Sequence, residues 1–560
     1  MGRVLLLGLD GATFDLIMPW AQSGKLPHFA HLLRRGPAGR LRSTVPPMSP
    51  PAWNSFMTGK NPGKHGIFDF TERQPQSYAM RFVNATWRRT PALWQYLSDA
   101  GKRVAILSVP FTYPPEKVNG IMVSGMDAPG VAGLVNRRAT FPPELCDEIQ
   151  AQVGPYPMGP NLFAYTEPGD MLEAAVRTIE QKAKAALYLY QREAWDCFVF
   201  VLGETDAASH RLWRFCDPDS PLRDTQAPDA KMADALLTIY QKADEVIGQF
   251  LALATPDTTI IVMSDHGNGG NSDTAVYLNQ WLETQEWLRS KTFNRFTKTG
   301  IEYAKQLGLR VLPPHVKRAI YRLTNIPNRM ESWVRFSALD WKRTLAYSEE
   351  TPYCPSIWVN LKGREPLGIV EPEAYEKVRE QIIAQLVAWR NPYTREPMVK
   401  RVWRREELYA GSCVTQAPDL IIEWALDDGY SYLFRPSTGK RQEPVCKIGP
   451  QEVRRVKSGD HREEGIFLAS GPNLGMPMEV KDAAIVDIAP TLLYVSGLPI
   501  PTDMDGKVLT EIFDERYRAR HPVQYGPAET SDTTVAPQQD YSEEEEAALR
   551  ARLRGLGYIE

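Results

Sequence analysis

The chain lacks the features on which several protein classes depend. Its 560 residues include only six cysteines, and no two of them form the C-x-x-C pair of a thiolate metal site or redox motif. No apolar run reaches the 18 or so residues that a membrane-spanning helix needs. The first run, residues 4–7, is too short for a secretory signal. We therefore expect a cytoplasmic location.

The chain also lacks a large excess of either charge. A formal net charge of -3 argues against bulk nucleic-acid binding, so no specific nucleic acid is expected as a partner. One local exception is the stretch 289–343, which has 13 basic and 3 acidic residues. We predict that residues 286–343 form a basic helical insertion, which is either a cap or surface that attracts an anionic substrate, phospholipid or nucleic acid, or a solvated helical face.

Short apolar runs that alternate with helical patterns make up most of the remaining sequence. Continuous apolar character is expected for strands covered on both faces of a parallel sheet. It occurs at residues 4–8, 104–109, 121–124, 197–202 and 259–264. Between these runs, apolar residues recur at three- and four-residue spacing, notably over 171–194 and 232–253. The alternation predicts an α/β protein, a three-layer αβα sandwich with a mostly parallel central sheet.

We divide the chain into four predicted parts. Residues 1–285 form the first part of the α/β core, 286–343 the insertion, 344–515 the second part of the core, and 516–560 a linker with a C-terminal helix. The second sheet half is expected to contain strands near residues 356–360, 419–423 and 465–469.

Acidic residues follow three of the apolar runs within a few positions, at Asp10, Asp206 and Asp265. Ligands of open parallel sheets bind outside the carboxyl ends of the strands, so these carboxylates are expected to share one edge. Three of the chain's eight histidines lie at or near such positions, namely His210, His266 and His461. Imidazole combined with carboxylate suits Zn²⁺ or a similar ion better than Ca²⁺ or Mg²⁺.

The segment 49–67 carries the most specific pattern. Ser49 precedes a predicted helix that leads to Thr58-Gly59 and then to His65-Gly66-Ile67. This order resembles the nucleophile segment of the type I phosphodiesterase/nucleotide pyrophosphatase family, in the alkaline phosphatase superfamily. In that family the nucleophile stands nine residues before the threonine, which corresponds to Ser49. Further motifs match in the family's order, at residues 9–11, 206–210, 264–267, 459–472, 487–493 and 505–506.

The resemblance implies a sandwich of the alkaline phosphatase type and a hydrolase of phosphate esters, with a phosphodiesterase as the main hypothesis. It also implies two divalent ions, with zinc favoured and manganese or iron as alternatives. The implied ligands are Asp206, His210 and His461 for one ion, and Asp10, Asp265 and His266 for the other.

Ser49 would lie beside the second ion and form a phosphoseryl intermediate, because a metal makes a serine hydroxyl nucleophilic at neutral pH. Backbone N–H groups at the start of the helix after Ser49 are expected to donate to the phosphoryl oxygens.

Departures from the family pattern bear on the substrate. Ala52 stands where nucleotide pyrophosphatases have an asparagine, so Asn54 is considered as a replacement substrate-binding residue. A sulfatase is disfavoured, because Ala52 and Trp53 replace the Ser-Arg pair of its motif.

Several alternatives stay open. A phosphomonoesterase or phosphomutase of the same superfamily would share the metal site, and the substrate is expected to be a small-molecule or lipid-linked phosphate ester. A hypothesis of another class is a protein that binds a membrane or another acidic surface through residues 289–343, on a hydrolase scaffold.

Overall fold

The structure is a computed structural model that describes most of the chain. The described residues are 2–74, 77–78, 80–130, 133–159, 162, 165–223, 232–291, 336, 339–351, 353–437, 443–453, 456–528 and 539–556. The predicted basic helical insertion lies mostly outside the described residues, because 292–335 and 337–338 are not among them.

The strands are numbered in chain order. They are β1 Arg3–Leu9, β2 Ala38–Arg42, β3 Thr71–Arg73, β4 Met80–Phe82, β5 Val104–Leu107, β6 Gly120–Val123, β7 Thr140–Phe141, β8 Cys197–Leu202, β9 Thr258–Met263, β10 Gly267–Val276, β11 Ala346–Tyr347, β12 Trp358–Val359, β13 Val399–Arg404, β14 Leu420–Trp424, β15 Ser431–Phe434, β16 Val445–Lys447, β17 Gly459–Arg462, β18 Glu464–Ser470, β19 Ala483–Ala484, β20 Ile500–Pro501 and β21 Tyr525–Gly526.

The α-helices are numbered in the same way. They are α1 Phe14–Gln22, α2 Pro27–Arg35, α3 Ser49–Thr58, α4 Pro62–His65, α5 Leu93–Asp99, α6 Leu145–Val153, α7 Pro168–Arg192, α8 Glu204–Cys216, α9 Ala235–Leu253, α10 Leu278–Thr284, α11 Tyr375–Ala388, α12 Arg405–Leu408, α13 Pro450–Val453, α14 Ile488–Val495, α15 Glu515–Arg520 and α16 Glu543–Leu556.

The central sheet contains nine of the described strands, in the order β19-β2-β18-β9-β1-β8-β5-β6-β7. The five strands from β9 to β6 run parallel to one another. Strand β18 is antiparallel to β9, and β7 is antiparallel to β6. Every residue of β8 and β9 is buried, as the continuous apolar runs predicted. The mostly parallel sheet is confirmed.

A helical layer covers each face of this sheet. Alternate residues of a strand face opposite sides, and in β1 Leu5 and Leu7 belong to one apolar cluster while Val4 and Leu6 belong to another. The first cluster includes residues of α1, α2, α6, α7, α8 and α9. The second includes residues of α3, α5 and α14. The predicted three-layer αβα sandwich is therefore confirmed.

A third apolar cluster lies between Val276 and Val445 in the sequence. The strands predicted near 356–360 and 419–423 are present as β12 and β14, but they pair with β11 and β13 in two-stranded sheets. The prediction that they extend the main sheet is wrong, and only β18, predicted near 465–469, joins it. Apolar residues of β12 and β14 pack instead with α11 in the third cluster. A short apolar run predicts a strand but not the sheet to which it belongs.

Helix α16 begins one residue after Ser542 and buries Leu549 and Leu553 in the first apolar cluster. The four-part division of the chain stays a prediction. Among the helices that the structure describes, none has both the length and the apolar character required to cross a bilayer.

Candidate metal centre and nucleophile

Three adjacent strands bring the predicted carboxylates to one edge of the sheet. Strand β1 lies between β9 and β8; Asp10 follows β1, Asp206 lies in the first turn of α8 after β8, and Asp265 follows β9. The backbone N–H of Asp10 donates to the carbonyl of Leu202 at the end of β8, at 2.9 Å. The carboxyl ends of the strands thus collect these side chains from positions up to 255 residues apart in the sequence.

Gly11 allows the side chains of Asp206 and Asn268 to lie close to the backbone that follows Asp10. Its backbone has a φ of +65°, and a Cβ at this position would lie 2.1 Å from Nδ2 of Asn268 and 2.8 Å from Oδ1 of Asp206. Asn268 donates to the Gly11 carbonyl at 2.9 Å and to Asp206 at 3.0 Å. The Leu9-Asp10-Gly11 motif therefore has a steric reason for glycine.

Ser49 is the first residue of α3 and is fully buried. Its Oγ lies 3.3 Å from Nε2 of His266. The expected row of backbone donors is largely missing, because Pro50 and Pro51 have no N–H group and the N–H of Ala52 donates to the carbonyl of Met48 at 3.0 Å. Residues 49–51 therefore offer only the amide of Ser49, so the helix start provides fewer donors for a substrate than expected.

The three predicted histidines are oriented in the same way. In each of them Nδ1 lies near a backbone carbonyl oxygen, while Nε2 faces the carboxylates. The distances from Nδ1 are 2.7 Å for His210 to Gly459, 2.9 Å for His266 to Gly267 and 2.9 Å for His461 to Pro47. Such a partner places the proton on Nδ1 and leaves the lone pair of Nε2 for a metal.

The ligand atoms of the cluster are spaced as a shared ion would require. Nε2 of His266 is 3.4 Å from Oδ1 of Asp10 and 3.5 Å from Oδ2 of Asp265. Two ligands about 2.0–2.1 Å from a tetrahedral ion would be roughly 3.4 Å apart. This group matches the implied ligand set of the second ion.

The other implied set is equally compact. Nε2 of His210 is 3.1 Å from Oδ2 of Asp206 and 3.2 Å from Nε2 of His461. Nε2 of His461 is 3.5 Å from Oδ1 of Asp206. The two sets adjoin, because the rings of His266 and His461 stack with 3.8 Å between their centroids.

The structure also places Asp460 within reach of this set, with a carboxylate oxygen within 4.8 Å of ligand nitrogens of His210 and His461. Asp460 already pairs with Lys457 at 2.7 Å and accepts from Asn271 at 3.2 Å. Asp460 lies in the motif at residues 459–472, from which the family resemblance implies only His461 as a ligand.

The charges of the cluster favour a bound cation. Burial, together with the neighbouring Asp265 and Asp206, raises the pKa of Asp10 well above its ordinary value. Burial and Asp206 do the same to the pKa of Asp265. Oδ1 of Asp10 and Oδ2 of Asp265 are buried and accept no hydrogen bond. A divalent ion would satisfy both oxygens and offset the repulsion, so these residues fit a metal.

Three further side chains contact the cluster without a sequence signal that marked them as site residues. Nε1 of Trp53 donates to Oδ2 of Asp10 at 3.0 Å, Asn268 binds Asp206, and the hydroxyl of Tyr353 lies 3.3 Å from Nε2 of His210. Trp53 is fully buried in the core and also holds the side chain of Asp10.

Two other residues of the segment 49–67, His65 and Asn54, form hydrogen bonds within the segment. His65 is buried against Oγ of Ser55 at 3.0 Å and accepts from the backbone N–H of Ile67 at 3.2 Å. Burial, with a contribution from Arg88, lowers the pKa of His65 to about 3. Asn54 is turned to its own helix, where Nδ2 donates to the carbonyl of Pro50 at 2.8 Å. Its role as a substrate contact stays a prediction.

Two cavities lie beside the cluster. One, of about 680 Å³, is lined in part by Tyr353 and His461. The other, of about 240 Å³, shares Pro46 and Cys354 with the first and includes Met48, the residue before Ser49. The larger cavity therefore reaches the cluster at His461, and the smaller one approaches Ser49 through Met48.

Comparison with known proteins agrees with this geometry. The family model described as type I phosphodiesterase/nucleotide pyrophosphatase matches residues 4–451. The match ends ten residues before His461, which the fold nevertheless brings to the other ligands. A search of curated proteins finds no match.

Solved structures share the fold at low sequence identity. Phosphonoacetate hydrolase from Sinorhizobium meliloti 1021, in complex with phosphonoformate, is 15% identical, with 89% of this chain and 95% of that chain covered and a TM-score of 0.52. The same enzyme in complex with phosphonoacetate gives 15% identity, the same coverage and a TM-score of 0.51. Murine ectonucleotide pyrophosphatase/phosphodiesterase 5, inactive and in complex with AMP, is 13% identical over 89% of this chain and 96% of that chain, with a TM-score of 0.46.

Proposed function

The chain belongs to the type I phosphodiesterase/nucleotide pyrophosphatase family of the alkaline phosphatase superfamily, and from this premise we propose that it is a phosphodiesterase with a phosphoseryl intermediate and a two-metal site. The chain is a phosphoric ester hydrolase, and its superfamily is metal-dependent. The observation that carries the finer proposal is the position of Ser49, whose Oγ is 3.3 Å from a ligand nitrogen of the cluster.

We assign one ion to Asp206, His210 and His461 and the other to Asp10, Asp265 and His266. Mixed nitrogen and oxygen ligands favour zinc, with manganese or iron as alternatives. When bound, the ions act as Lewis acids that stabilise the serine alkoxide, the phosphoryl oxygens and the leaving oxygen.

The side chains divide the reaction into two displacements. Oγ of Ser49 forms a bond to phosphorus while the bond from phosphorus to one ester oxygen breaks, and the proton lost from Oγ is balanced by the proton that the departing alcohol takes up. Water then attacks the phosphoseryl group, the bond to Ser49 breaks, one proton of the water returns to Oγ, and a phosphate monoester is released.

Ser49→Ala tests the nucleophile. We expect the rate of hydrolysis of a chromogenic phosphodiester to fall by at least about a thousandfold, because the variant lacks the proposed nucleophile. Ser55→Ala is the matched control, since Ser55 lies on the same helix but contacts His65. Mass spectrometry of acid-quenched protein should find a phosphoryl group on the peptide that contains Ser49. A Ser49→Ala variant with wild-type turnover would remove the nucleophile from the proposal.

The alternative hydrolases are separated by substrate. A monoester that is hydrolysed faster than the matched diester would favour a phosphomonoesterase, and return of the phosphoryl group to a second hydroxyl of the substrate would favour a phosphomutase. Phosphonates belong in the same panel, because one similar fold is a phosphonoacetate hydrolase. A lipid-linked ester and binding to anionic vesicles test the roles proposed for residues 289–343 and their basic charge.

A further inference from the structure

Tyr353 lies against the candidate metal centre and is almost fully buried, with 2% of its surface exposed. Its hydroxyl oxygen is 3.3 Å from Nε2 of His210. Its ring stacks on that of His461 with 4.5 Å between centroids, and Nζ of Lys457 lies 3.8 Å from the ring centre. These contacts hold the ring in place and direct the hydroxyl at a ligand atom.

The direction of the Tyr353 hydrogen bond follows from His210. Nδ1 of His210 lies 2.7 Å from the carbonyl of Gly459, so Nδ1 carries a proton, and in the neutral imidazole that binds a metal Nε2 carries the lone pair. The Tyr353 hydroxyl therefore donates to the lone pair that His210 would offer to a metal. A bound ion would take that acceptor and leave the O–H group directly beside it.

The proposed reaction needs a hydrogen-bond donor to the phosphoryl oxygens next to the metal cluster. Charge on the phosphoryl oxygens is stabilised by hydrogen-bond donors fixed in advance. The start of α3 supplies few of them, because Pro50 and Pro51 lack N–H groups and Ala52 donates within the chain to Met48. Tyr353 lines the larger cavity together with His461, so this residue lies between the cavity and the cluster.

We propose that Tyr353 is a substrate-binding residue, whose hydroxyl transfers its hydrogen bond from His210 to an oxygen of the bound phosphate group when the metal site is filled. The inference rests on the proposed function and adds to it a side-chain donor that fixes the oxyanion. The expected ligand class is a tetrahedral phosphate or phosphate ester.

Tyr353→Phe is the direct test, because it removes the hydroxyl and keeps the ring that stacks on His461. Inorganic phosphate is titrated calorimetrically into the zinc-loaded protein, and we expect binding to weaken by about tenfold or more. Tyr156→Phe is the matched control, since Tyr156 is a buried tyrosine whose hydroxyl binds Ser108 at 2.6 Å. Zinc titration of the metal-free variant should give an affinity equal to or tighter than wild type, because the hydroxyl no longer competes for His210.

Each contrary outcome is decisive. Unchanged phosphate affinity in Tyr353→Phe overturns the inference, and a loss of zinc affinity also overturns it, because Tyr353 would then be a metal ligand. Should the phenylalanine variant fail to fold, the same two titrations on Tyr353→Leu decide. Phosphate binding requires no turnover, so a wild type that binds phosphate but hydrolyses no ester contradicts the proposed function and leaves the test of Tyr353 valid.

Discussion

The strand-end cluster and the loop after the nucleophile helix both bury charged groups, but they satisfy them differently. In the cluster, Oδ1 of Asp10 and Oδ2 of Asp265 accept no hydrogen bond. In the loop, which we define as residues 59–66 with 503–505, Lys60 pairs with Asp503 and Lys64 with Asp505, each at 2.5 Å.

The comparison distinguishes motifs whose residues bind a ligand from motifs whose residues stabilise the fold. Both kinds of motif are equally distinctive in the sequence. Buried charged atoms that accept no hydrogen bond from the chain indicate a bound ligand. Buried charged groups that pair with each other indicate a structural role. Variants of the cluster should therefore lose metal and activity without losing the fold. Variants of the loop should lose stability while the folded molecules keep their metal.

The largest effect is expected for Asp265→Asn. Loss of a ligand charge should lower kcat/KM for a phosphodiester on the order of a thousandfold and reduce the metal content measured by elemental analysis. The metal-free variant should unfold at the same or a higher denaturant concentration than wild type, because burial and Asp206 raise the pKa of Asp265. Asp244→Asn is the control, since this buried aspartate pairs with His28. A strongly destabilised metal-free Asp265→Asn would contradict the distinction.

Lys60→Met tests the loop. Lys60 is 1% exposed, and its replacement removes the ion pair with the partly buried Asp503. We expect the free energy of unfolding to fall by about 3 kcal/mol, as when one partner of a buried ion pair is removed. Denaturant titration measures it, and the metal content per folded molecule should match wild type. Lys64→Met, at a more exposed pair, should cost less.

The pH dependence of stability provides a test at His65. Burial lowers the pKa of His65 to about 3, so between that value and about 6.5 the folded state binds fewer protons than the unfolded state. Its contribution is complete above pH 6.5 and decreases as the pH falls, by at most about 1.4 kcal/mol per pH unit. The stability of wild type should therefore fall more steeply from pH 7 to 4 than that of His65→Gln. Parallel curves would mean that His65 is not buried in neutral form.

The smallest effect is expected for Trp53→Phe, which tests a residue that orients a proposed metal ligand and is not itself a ligand. Trp53→Phe removes the indole N–H that donates to Asp10 at 3.0 Å and keeps an aromatic ring in the core. Zinc affinity should fall by about tenfold, the lower range for such supporting contacts. Trp195→Phe is the control, because its N–H binds the carbonyl of Leu189. An effect as large as that of Asp265→Asn would place Trp53 in a more direct role.

Much of the fold could be predicted, because the determining signals are local. The continuously apolar runs 197–202 and 259–264 became β8 and β9 at the centre of the sheet. The strands near 356–360 and 419–423 were placed in the wrong sheet, since a short apolar run carries no information about its partner strand. Fewer backbone donors than expected follow Ser49, because Pro50 and Pro51 have no N–H group.

The strands and the strand-end carboxylates could be predicted because they depend on residue type and short-range spacing, while the roles of Ser49 and the histidines were implied by the family resemblance. The packing of distant segments was needed to show that backbone carbonyls lie beside Nδ1 of all three histidines, and that Trp53, Asn268 and Tyr353 contact the cluster. Such contacts depend on how distant segments pack, and tryptophan, asparagine and tyrosine occur in too many other settings for their positions in the chain to mark a site.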